Sequence, residues 1–145
     1  MKKRLPPFGR ELKSRLEFNN PPFMVVICAG KNAWDNAKKW NNRDDYSAMV
    51  LLPGKDPASL IWPVRGLACL IEWNTGPSKN LIIAIIKNLF KAGAVNVIVR
   101  PIYVNHMDPA YTYDTSMPIG DRWVQEREMI RVYRNPLLQE CRNAA

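Results

Sequence analysis

The sequence predicts an open α/β domain: a mostly parallel sheet of about four strands with helices on its faces, plus a C-terminal extension. Short apolar runs alternate with segments of helical period, in the order strand, helix, strand, loop, strand, helix, strand. The runs are continuous, as in strands covered on both faces, and do not alternate with polar residues. The 145 residues suit one domain that folds without a metal or disulfide. Two strand–helix–strand units imply parallel pairing, because a crossover returns the chain to the same end of the sheet. The alternative is a ferredoxin-like α+β sheet, which a short strand at residues 60–62 would favour.

The elements follow in order. Residues 1–20 carry six basic and two acidic side chains and read as a basic N-terminal arm, led by Lys2, Lys3 and Arg4. Residues 21–101 hold the α/β core. The run 23–28 is the first strand, set off by Pro21-Pro22 and Gly30. A helix over 33–41 would group Ala33, Trp34, Ala37 and Trp40 on one face, with Asn32 as its N-cap. Residues 46–52 and 67–73 are the second and third strands. Between them, residues 60–62 form a short strand or a docked apolar segment. Pro77 suits the start of a helix over 78–92, whose stripe is Ile82, Ile85, Ile86, Leu89 and Phe90. Gly93 then fits the C′ position, and residues 95–99 form the fourth strand. Residues 102–145 are expected to be a long loop followed by a helix over 121–134.

Composition narrows the function classes. Apolar residues make up 47% of the chain and charged residues 23%, which argues against global disorder. No apolar run approaches the ~18 residues of a spanning helix, and no signal-peptide core follows the basic N-terminus. Three widely spaced cysteines read as reduced thiols in a cytoplasmic protein. The net charge of +8, from 21 basic and 13 acidic residues, favours an anionic partner. Nucleic acid is the first such partner and an acidic protein surface the second.

Two loops at strand ends would suit an anion. Gly30-Lys31 follows the first strand, but lacks the remaining glycines and hydroxyl of a phosphate loop. Thr75, Gly76, Ser78 and Lys79 follow the third strand and open the long helix, with Glu72 beside them for polar positioning. The plain reading of both is a turn and a helix cap. Asp35, Asp44, Asp45 and Glu72 lack the compact spacing of a metal site, so no metal or cofactor is expected. His106 with Asp108 lacks a nucleophile motif.

Basic and aromatic residues interleave in three segments. They are Arg10, Lys13, Arg15 and Phe18; Lys38, Lys39, Trp40 and Arg43; and Arg122, Trp123, Arg127, Arg131, Tyr133 and Arg134. On a helix, Arg127, Arg131 and Arg134 would share one side and contact phosphates. The leading expectation is therefore a non-catalytic binder of nucleic acid, DNA or RNA, through its backbone. The contacts would be Lys2, Lys3, Arg4, Arg10, Lys13, Arg127, Arg131 and Arg134. The first alternative is a small nucleotide-binding or phosphoester-processing enzyme using the strand-end loops. The second is an inhibitor, adaptor or structural assembly subunit, the last a homo-oligomer joined through Trp123, Ile130 and Leu137 of the C-terminal segment.

Overall fold

The computed structural model describes residues 3–73, 79–101 and 131–138. Helix α1 (Gly9–Glu17) leads to β1 (Met24–Ala29), α2 (Ala33–Asn41) and β2 (Tyr46–Leu51). A single 3₁₀ turn (Pro57–Ser59) precedes β3 (Ala68–Trp73), α3 (Lys79–Lys91), β4 (Asn96–Pro101) and β5 (Arg131–Arg134). The sheet order is β2-β1-β3-β4-β5. The first four strands are parallel, and β5 runs antiparallel to β4. The expected open, mostly parallel α/β sheet is what forms, with one strand more than the apolar runs announced.

The continuous runs have the physical cause expected of them. Val25, Ile27 and Ala29 of β1 face one core, with Leu12, Trp62, Ile82, Ile85 and Leu89. Val26 and Cys28 face the other, with Ala33 and Ala37 of α2. From β1 to β2 the chain crosses the α2 face. From β2 through β3 to β4 it moves the opposite way across the sheet and uses the other face. A constant crossover hand requires this change of face when the direction reverses.

Gly93 ends α3 with φ +96, and a Cβ there would stand 3.0 Å from Arg65 Cγ. The 60–62 segment is docked, with one parallel bridge from Leu60 to Arg4. Trp62 within it is buried and donates its indole N–H to the Pro57 carbonyl at 2.9 Å.

Three expectations need correction. Within the expected basic arm, the described residues 3–20 are not free, since α1 occupies 9–17 and buries Leu12 in the main core. Apolar residues at 5, 8, 12 and 16 recur every three or four positions, which is the period of a docked helix. The helix expected over 121–134 gives way to strand β5 at its last four residues, which pair with β4 from Asn96 to Val99. The β-branched and aromatic pair Val132-Tyr133 suits that pairing. Finally, Asn32 precedes α2 in a left-handed conformation (φ 64) without a capping hydrogen bond from its side chain. Asparagine tolerates positive φ, and that is what the turn uses.

Candidate nucleic-acid interface

The N-terminal segment is fixed to the carboxyl end of β2 by its backbone. The Pro7 carbonyl accepts from Val50 N–H at 3.3 Å, and the Arg4 carbonyl accepts from Ile61 N–H at 2.9 Å. These bonds shape an open groove of about 1020 Å³. Its apolar walls include Leu5, Phe8, Leu52 and Ile61. Its charged members are Lys3, Arg4, Arg10, Lys13 and Lys55, against the single acid Glu11. All five cations are exposed, and none is ion-paired within 4.0 Å among the described residues.

Phe8 forms one lip of the groove. It holds φ 69 just before α1, a region that bulky L-residues rarely enter. Gly9 N–H closes a turn onto the Pro6 carbonyl at 2.8 Å, and Leu12 N–H bonds the Phe8 carbonyl at 3.4 Å. The Phe8 ring meets Trp34 with centroids 5.0 Å apart and planes tilted by 46°. Trp34 is 44% exposed. This contact joins the groove to the loop after β1, where Lys31 is also exposed.

Comparison with protein-family models, with curated proteins and with solved structures finds no match. The reading of the site therefore rests on geometry.

Four expected contacts, Lys3, Arg4, Arg10 and Lys13, come together in the groove. Lys55 joins them from a segment that no local pattern links with the N-terminus. Lys31 and Gly30 adjoin through the Phe8–Trp34 contact but do not line the groove. Arg134 lies on β5, at the far edge of the sheet from β2. Residues 131–134 are strand, not helix, so the helical spacing that would group Arg131 with Arg134 does not apply there. Lys79 begins α3. The expectations placed on Lys2, Thr75, Gly76, Ser78, His106, Asp108, Trp123, Arg127 and Ile130 fall outside the described residues.

Glu72 stands at the carboxyl end of β3, as expected, but is turned into the fold. It is 6% exposed, and its Oε1 accepts from the Trp40 indole N–H at 2.5 Å. A buried carboxylate needs such donors. Asp44 and Asp45 lie at the amino end of β2, away from Glu72 at the carboxyl end of β3, so the four acids do not gather. Asp45 meets Arg43 at 3.9 Å on the surface.

Arg15 is a tie within the fold. Its guanidinium donates to the Tyr46 carbonyl at 3.0 Å, to Ser47 Oγ at 3.1 Å and to the Asp44 carbonyl. Arg43 lies over the rings of Trp40 and Tyr46, at 5.4 and 4.6 Å, so these three side chains satisfy one another, while Lys38 and Lys39 are exposed. Cys28 and Cys69 face opposite cores. Burial pushes each thiol up to about 12, with the Glu72 charge adding to the effect at Cys28. Neither is a nucleophile near neutral pH.

Proposed function

We infer that this protein binds nucleic acid through the phosphate backbone, in the groove between the N-terminal segment and the end of β2. The observation that carries this reading is the convergence of Lys3, Arg4, Arg10, Lys13 and Lys55 around one acid, Glu11. Like charges held together without partners repel one another, and a polyanion relieves that repulsion. The two buried, unpaired thiols are compatible with a cytoplasmic setting.

The test is anisotropy of labelled DNA and RNA, single- and double-stranded, across a salt series. Replacing the five cations by glutamine should weaken binding at least tenfold at low salt. With five phosphates neutralised, log K against log salt should fall with a slope of roughly −3.5 on single strands, and each cation removed should reduce it by about 0.7. Binding that ignores these substitutions would sink the reading.

A second reading is favoured by one observation. The chain reverses its direction across the sheet between the adjacent strands β1 and β3, and ligands of open α/β sheets bind outside such reversals. A small nucleotide at the loops following these strands should raise the melting temperature at millimolar concentration. No shift with purine or pyrimidine nucleotides would remove this alternative.

A further inference from the structure

The groove is more than a row of charges. Apolar side chains stand beside the cations in its lining, and Phe8 among them packs its ring against Trp34 just outside. A duplex buries its bases and presents only phosphate, sugar and groove edges. Apolar and aromatic surface beside cations suits unpaired bases, whose faces stack on rings while the backbone follows the charges.

Trp34 is the ring placed to do this. Among the described tryptophans, Trp62 and Trp73 are buried, and Trp40 is engaged by Arg43, Tyr46 and Glu72. Trp34 remains 44% exposed, braced on one side by Phe8. The bracing has a backbone cost, since Phe8 is held at φ 69. Strained residues of this kind persist where surrounding bonds over-determine them, and they concentrate at binding sites. Lys31 is exposed three positions before Trp34, within the same turn into α2.

We propose that Trp34, braced by Phe8, is a stacking platform for an unpaired base of single-stranded nucleic acid whose phosphates follow Lys3, Arg4, Arg10, Lys13 and Lys55. This rests on the groove reading above and narrows it from polyanions to single strands.

The experiment measures anisotropy of a labelled single strand of about twelve nucleotides, a length within the range one such site covers. A duplex of the same length is measured beside it, with inorganic polyphosphate and polyglutamate as competitors. The full chain is compared with Trp34→Ala and Trp34→Phe, each checked for an unchanged thermal transition. Trp34→Ala should weaken single-strand binding roughly five- to 150-fold, the range for loss of one stacked base. It should leave the affinity for polyphosphate itself unchanged once the weaker probe binding is allowed for, and Trp34→Phe should retain most of the affinity.

Equal loss for the oligonucleotide and polyphosphate would overturn the platform, as would no loss for either. Duplex binding as tight as single-strand binding would also overturn it. Tighter competition by polyglutamate than by the oligonucleotide would give the groove to an acidic protein instead. If single strands and polyphosphate bind through the five cations but ignore Trp34, the phosphate reading stands and the stacking fails. If no polyanion binds, both fall.

Discussion

At the scale of single residues, the polar side chains that matter most are the ones that close the fold. Asn135 is 4% exposed and follows β5. Its amide donates to the carbonyls of Phe90 and Ala94, at 3.0 and 2.7 Å, and its oxygen accepts from Leu137 N–H at 3.0 Å. One side chain thus ties the C-terminal segment to the end of α3, where helix carbonyls lack partners within the helix. Asn135→Ala leaves buried acceptors unpaired and should cost about 2–3 kcal/mol. Urea unfolding with an unchanged m-value would register the loss as a lower midpoint. An unmoved midpoint would mean that water replaces the amide without penalty. Nothing in the local sequence announces this role, because the partners are 41 and 45 residues away.

At the scale of elements, the outer edge of β2 shows how this sheet avoids pairing with another chain. Tyr46, Ala48 and Val50 turn their backbone groups away from β1. Arg15 covers the Tyr46 carbonyl, and Pro7 accepts from Val50 N–H. The Asn41 amide exchanges both bonds with Ala48, at 2.8 and 3.2 Å, as a neighbouring strand would. An uncovered edge is a template for association. Asn41→Ala should therefore lower stability by about 1–2 kcal/mol and raise light scattering at high protein concentration. A variant with light scattering and urea midpoint both unchanged would show that the other two covers suffice. The elements were legible where burial wrote a pattern into the sequence. Strands β1 to β3 are buried almost end to end and stand out as continuous apolar runs, whereas α2 and α3 bury residues at helical spacing, Ala33 and Ala37 in one and Ile82, Ile85 and Leu89 in the other. Helix α1 was hidden by its charge, since Leu12 and Leu16 are each flanked by charged residues of both signs. Strand β5 was hidden because an edge strand of four residues is too short to show alternation, and its arginines imitate a helical spacing.

At the scale of the molecule, sheet order and the groove were both unreadable for the same reason: each depends on which distant segments meet. The basic N-terminus was visible as charge, and the fold turned that charge into a wall. This distinction has a measurable consequence. Pro6 is buried, and the carbonyls of Arg4 and Pro7 bond to Ile61 and Val50. Removing residues 2–8 takes away these bonds, uncovers the end of the β2 edge and exposes apolar surface beneath. Replacing Lys3, Arg4, Arg10, Lys13 and Lys55 by glutamine takes away charge alone and relieves repulsion within a chain of net charge +8. Both changes should abolish binding at moderate salt, and stability should separate them. The deletion should lose about 2–5 kcal/mol, whereas the glutamine variant should match or slightly exceed the parent. Guanidinium screens charge and would mask the relief of repulsion, so the comparison belongs in urea at low ionic strength. If the deletion unfolds at the same urea concentration as the parent, the segment is a tether after all, and its charges act by raising local concentration without forming a shaped site. If the glutamine variant is the less stable one, the lysine and arginine stems hold the groove walls together by packing, and the loss of affinity on neutralising them would no longer measure phosphate contact alone.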